Sequence, residues 1–212
     1  MKVYVPIAKE GYPFIFLGGV VSVIACLWGK AISIVPFSMV LFLIYFFRDP
    51  ERIIPKENKG IISPADGKVI SIDEHFENRF LKEKVVKISI FMSLWDVHIN
   101  RIPLDGKITD VLYKAGKFFA AFTDKASNLN EHNAILLKTG DHRYILLIQI
   151  AGIIARRIVC RIKTGDEVTR GQKFGMICFG SRVEIYLPSD TQLKIKVGEH
   201  VKGGETILGD LP

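Results

Sequence analysis

No two of the three cysteines, Cys26, Cys160 and Cys178, form a C-x-x-C pair, and their number is odd. The pattern supports neither a disulfide framework nor a structural zinc site. His75, His142 and His200 are scattered among polar residues without ligand spacing, so no metal is expected. The chain also lacks a G-x-S-x-G nucleophile elbow, a phosphate-binding loop and a dinucleotide fingerprint. Although Lys and Arg outnumber Asp and Glu by 29 to 22, giving a net charge of +7, the cations are spread along the chain and no aromatic-basic strand accompanies them. No nucleic-acid partner is expected, which leaves an anionic membrane surface or an acidic substrate as uses for the charge.

What is present in excess is apolar, and it is local. Of the 212 residues, 49% are hydrophobic, yet charged residues reach an ordinary 24%. Two uncharged runs, 14–29 and 31–47, are separated by Lys30 alone. Each falls a little short of the ~20 residues that cross a bilayer core as a helix. Trp28, Tyr45, Lys9, Arg48 and Arg52 flank them with the residue types that sit at headgroup level. The reading is a membrane-associated helical hairpin over 1–52, spanning or re-entrant, with a pair of buried core helices as the bland alternative. A secretory signal is set aside because a second apolar run follows the first at once. Charges before and after the hairpin outnumber Lys30, which puts both ends, and the rest of the chain, on the cytoplasmic side of the cell membrane.

From residue 53 onward the character is β-type: runs at 68–72, 85–92, 134–138, 144–150, 158–162, 182–186 and 193–197 are broken by Gly, Pro, Asp and Asn. The expected fold is mainly β, a folded-over antiparallel β-sandwich over 53–212 carrying the helical hairpin, with one short helix near 118–122. Gly165 to Gly171 and Gly198 to Gly204 share a G-x-x-V-x-x-G spacing, and Ser63 to Val69 supplies a similar turn into a strand. The spacing is similar to the turns of biotinyl and lipoyl carrier domains, but no lysine stands in their modified hairpin, so a repeated hairpin solution is the preferred reading.

Three stretches carry a resemblance across most of the chain after the apolar front: Ser63-Pro64-Ala65-Asp66-Gly67, Phe91 to Pro103 (FMSLWDVHINRIP) and Gly175 to Arg182 (GMICFGSR). With Gln149 to Gly152 and Ala155 to Arg157 they resemble, in order, the short-form phosphatidylserine decarboxylases. The resemblance implies a self-processing lyase. Ser181 attacks the carbonyl of Gly180, an ester forms, and elimination leaves a large chain, 1–180, and a small one, 181–212, whose first residue becomes a covalent pyruvoyl cofactor. Its carbonyl captures the amine of a phospholipid headgroup and serves as electron sink while carbon dioxide leaves.

A serine needs a base, and an imidazole oriented by a carboxylate is the usual arrangement. The resemblance assigns Asp66 as carboxylate and places His98 in the histidine motif. Longer members resemble D-x-H-x-x-H-x-P, whereas Asp96 to Pro103 has Arg101 at the second histidine. His98 is therefore the first candidate base and His132 the second. Arg101, with Asn100 beside it, is a candidate for binding substrate phosphate or carboxylate. An archaetidylserine decarboxylase and a non-catalytic, membrane-tethered β-domain remain as alternatives.

Overall fold

The structure, a computed structural model, describes residues 6–56, 60–117, 130–152, 158–178 and 180–212. It divides into two compact units, Met1–Glu51 and Arg52–Pro212. The helix expected near 118–122 and the arginines 156 and 157 lie outside the described residues.

The first unit is a helical hairpin. A short 3-10 turn, Lys9–Gly11, leads into α1 (Tyr12–Trp28), and α2 (Lys30–Phe46) follows after Gly29. Pro13 in the first turn of α1 is favourable because its missing N–H would have no partner there anyway. The helices pack closely at Gly18, where an added Cβ would lie 2.8 Å from the Val40 side chain. The ends are tied by backbone bonds from Ala8 N–H to Phe47 O and from Asp49 N–H to Pro6 O, both 2.7 Å. Apolar side chains point outward, with Leu27 and Trp28 each 82% exposed. The 20-residue helical stretch from Lys9 to Trp28 is long and apolar enough to cross a membrane.

The second unit is mainly β, with curled antiparallel sheets, as expected. Among the described residues it holds β1 (Gly60–Ile62), β2 (Gly67–Glu77), β3 (Glu83–Met92), β4 (Ile99–Arg101), β5 (Gly106–Lys114), β6 (His132–Thr139) and β7 (Tyr144–Ala151). The chain continues through β8 (Ile158–Cys160), β9 (Glu167–Val168), β10 (Lys173–Ile177), β11 (Ser181–Pro188), β12 (Gln192–Leu193), β13 (His200–Val201) and β14 (Ile207–Asp210). The large sheet runs β13-β2-β3-β11-β7-β6-β5-β9, and two small sheets run β1-β14-β12 and β4-β10-β8.

Those orders reveal a twofold repetition. β1, β2, β3 with β11 to β14 occupy the same relative places as β4, β5, β6 with β7 to β10, and the copies meet along β11–β7. The sequence carries the same repeat: Pro64-Ala-Asp66-Gly67-Lys68-Val69 matches Pro103-Leu-Asp105-Gly106-Lys107-Ile108, and the two G-x-x-V-x-x-G turns are the second half of each copy. Gly165, Gly171, Gly198 and Gly204 all have positive φ, from +81° to +96°, which glycine adopts without steric cost. The valines between them, Val168 and Val201, are buried and pair with Gly106 and Gly67.

Strand alternation sends Ile88, Ile90, Val183, Ile185, Leu147 and Ile135 to one core between the sheets. The other face of the large sheet is also covered, by a smaller cluster that includes Val85, Ile148, Ile150 and Tyr186. Runs such as 144–150 are therefore apolar on both faces and lack clean alternation.

Candidate active site

Ser181 opens β11, the strand at the seam between the copies, and sits opposite Met92 on β3 and Ala151 on β7. Its side chain is fully buried, and among the described residues its Oγ has no hydrogen-bond partner. Buried hydroxyls are normally bonded, so an orphaned one needs a chemical explanation. Gly180 before it has φ +62°, and a Cβ there would meet nothing within 4 Å. Glycine is needed at this position for its backbone angle, not for space.

His98 lies in the loop between β3 and β4 and is fully buried. Asp96 shapes that loop by accepting from Ser93 N–H at 2.8 Å and Ser93 Oγ at 2.6 Å. The Nδ1 of His98 is 3.0 Å from the Asp96 carbonyl oxygen. A carbonyl only accepts, so Nδ1 carries the hydrogen and Nε2 of the neutral ring keeps its lone pair. Extending the β4–β10 register one step beyond Ile99–Met176 sets His98 beside Ile177, on the stretch that runs directly into Gly180.

Asp66 stands just before β2. β2 and β11 both pair with β3, so Asp66 lies about two strand spacings, roughly 10 Å, from Ser181 along the same end of the sheet. Its Oδ2 is 2.7 Å from an Arg52 nitrogen, and its Oδ1 accepts the Gly203 N–H at 2.7 Å. Burial pushes the carboxyl above its ordinary value; the Arg52 charge and the Gly203 N–H oppose this, and the Asp96 charge adds to the rise. Each carboxylate oxygen retains a second lone pair for another donor.

Arg101 is buried, donates to the Gly171 carbonyl at 3.0 Å, and runs its stem past Gly204, where a Cβ would lie 2.8 Å from its Cδ. Asn100 belongs to a directed amide chain. Asn133 donates to Gln149 at 3.1 Å, Gln149 to Asn100 at 2.8 Å, and Asn100 to the sulfur of Met92, opposite Ser181, at 3.7 Å. His132 on β6 also holds its Nδ1 against a backbone carbonyl, that of Asn130, at 2.8 Å. The ladder His132–Ile150–Arg182 puts it on the face opposite Ser181. On that face Arg182 and Glu184 form a buried ion pair at 3.2 Å, and Tyr186 donates to Glu184 at 2.8 Å. Burial and the Glu184 charge push the Tyr186 phenol far up.

The structure thus sets Ser181 and Asp66 at one end of the large sheet, brings Asn100 from β4 onto Met92 opposite Ser181, and adds Arg52, Gln149 and Asn133; His98 directly precedes β4, whose partner β10 leads toward Gly180. The amides announce themselves as polar residues within apolar strands. Arg52 gives no local signal, because its partner is 14 residues away, beyond β1.

Comparison with known proteins gives the family. The family model for phosphatidylserine decarboxylase matches residues 39–209. The phosphatidylserine decarboxylase proenzyme of Syntrophus aciditrophicus is 49% identical over 205 residues, 96% of either chain. Those of Geotalea uraniireducens and Carboxydothermus hydrogenoformans are each 44% identical, covering 97% or more of both chains. Identity at that level over nearly the full length, with the glycine–serine junction at the seam of the sheet, leaves one conclusion: the chain belongs to the phosphatidylserine decarboxylase family.

Proposed function

We propose that the chain is a proenzyme that cuts itself between Gly180 and Ser181 and then removes carbon dioxide from phosphatidylserine to give phosphatidylethanolamine. The observation that carries this reading is the junction itself: a buried, unbonded serine hydroxyl behind a glycine held at positive φ.

The junction suits a pyruvoyl group made from Ser181. His98, through Nε2, takes the Ser181 proton, and the oxygen adds to the Gly180 carbonyl carbon. The C–N bond breaks, the amine of Ser181 takes up a proton, and an ester joins the two residues. Loss of the Ser181 Cα proton then expels the Gly180 carboxylate, and water replaces the nitrogen, which leaves as ammonia. Such a group at residue 181 would supply a carbonyl able to capture the substrate amine and to take up the electron pair released with carbon dioxide.

The chain's own residues set the stage for that chemistry. Asp66 supplies the negative charge that favours an imidazolium on His98. Asn100, polarised by Gln149 and Asn133, presents amide hydrogen beside Met92, where charge on a carbonyl at residue 181 would be stabilised. Arg101 and Asn100 remain the residues for substrate phosphate or carboxylate. The outward apolar side chains of α1 and α2 suit lipid contact, which keeps the enzyme where its substrate resides, with the catalytic unit on the cytoplasmic side.

Intact-mass measurement of the purified protein tests the reading. Two chains are expected, 1–180 and 181–212, the small one lighter by one ammonia than a chain beginning with serine. Ser181→Ala should leave a single inactive chain. A single uncut chain that still decarboxylates phosphatidylserine would overturn the proposal.

A further inference from the structure

The twofold repetition supplies an internal control for Asp66. Asp105 precedes β5 as Asp66 precedes β2, and its Oδ1 accepts the backbone N–H of Arg170 at 2.7 Å where Asp66 accepts that of Gly203 at 2.7 Å. The neighbouring bonds repeat as well: Gly165 N–H to Ile108 O and Gly198 N–H to Val69 O are both 2.8 Å. The bond from aspartate to turn is therefore a device of the fold, present once per copy.

The two aspartates differ in their charged partners. The Arg52 guanidinium lies 2.7 Å from Asp66, the two side chains being 9% and 13% exposed, while among the described residues no Lys or Arg forms an ion pair with Asp105. Ile54 explains how one segment can favour one copy. Its Cδ1 lies against both twin glycines, filling the place a Cβ would take at Gly171 and approaching within 3.4 Å of one at Gly204. The segment thus crosses between the copies, and Arg52 sits beside the first of them only.

We propose that Arg52 is a positioning residue for the reaction, holding the Asp66 carboxylate charged and aimed and so giving a chemical role to one of two otherwise equivalent structural aspartates. The proposal rests on the reading that self-cleavage needs the Asp66 carboxylate. The groups facing Asp66 make Arg52 decisive. Asp96 on the 93–96 turn disfavours the charge, Glu205 lies 3.5 Å from Arg52 and is also acidic, and Gly203 contributes only a neutral N–H. Without Arg52 a carboxylate with acidic neighbours at a buried site takes up a proton at higher pH.

Full-length chains made in a cell-free system and chased in buffers of different pH report the test as the rate of cleavage on a denaturing gel. Processing should fall on the acid side as Asp66 protonates. In Arg52→Gln that acid limb should move up by about 1–3 pH units, while Arg52→Lys, which keeps the charge, should move it by less than about one. Asp105→Ala, which removes the acceptor of the equivalent structural bond, should lower the melting temperature and leave the limb in place. An Arg52→Gln chain that is destabilised like Asp105→Ala but cleaves with an unmoved limb would show Arg52 to be structural only. Asp66→Asn separates the two readings: if it cleaves at the normal rate, the role given to Asp66 itself is wrong.

Discussion

His98 and His132 are held alike, each by an Nδ1–H bond to a carbonyl two residues earlier, so each offers an Nε2 lone pair. Position separates them. His98 lies beside the strand that leads into Gly180, whereas His132 is on the far face of the sheet from Ser181. His98→Ala should slow self-cleavage by about 10²–10⁴-fold, the usual cost of losing a general base. His132→Ala should cleave at the normal rate. Pulse-labelled chains followed on a gel check both, and the reverse result would move the base to His132. If His98→Ala cleaves normally but releases no carbon dioxide, its proton serves the later protonation of the substrate carbon. The junction and these histidines are legible in the sequence because they sit in contiguous motifs. The pairing of Arg52 with Asp66 is not, since a salt bridge between segments 14 residues apart follows no spacing rule.

The β2–β3 hairpin shows what one side chain does for an element. Glu77 is buried at the end of β2 and accepts the backbone N–H groups of Arg79, Phe80 and Leu81 at 3.0, 2.7 and 2.8 Å. Burial works against its charge, but these three donors prevail and hold the carboxyl below its ordinary value. Its contribution is therefore full above the unfolded-state carboxyl pKa and is lost as pH falls through the lowered folded one. Glu77→Gln should cost about 1.5–3 kcal/mol at neutral pH, the worth of hydrogen bonds to a charged group. Chemical unfolding of the uncut Ser181→Ala chain in detergent would measure it, and the difference should shrink in acid. An undiminished difference at low pH would mean that packing, not charge, is lost. Among the strands, β2, β3, β6, β7 and β11 were visible as apolar runs, while the runs at 158–162 and 193–197 shrink to the short β8 and β12. β5 leaves no such run, because its register shifts between Ile108 and Asp110, which breaks the period-2 alternation. The duplicated Pro-x-Asp-Gly-Lys was present at 64–68 and 103–107, but only pairing of each copy with its own G-x-x-V-x-x-G turn makes the repeat a fold.

At the scale of the whole molecule, the β-unit has its own core and begins at Arg52. Removing residues 1–47 should therefore give a more soluble protein that still cleaves itself, because Arg52 and every strand are retained; a folded but uncut product would show that the hairpin takes part in processing. A cut after Gly180 would leave 181–212 as β11 to β14, with β11 gripped by β3 and β7, β13 by β2 and β14 by β1. The two pieces would stay together, yet their common fold would have been reached by one continuous chain and could be regained only by a bimolecular encounter. Recovery from denaturant, first-order for the proenzyme, would become dependent on concentration for the mature enzyme. Such a cut would act as a ratchet: the fold would be assembled once, and the thread that guided its assembly would then be consumed in making the cofactor.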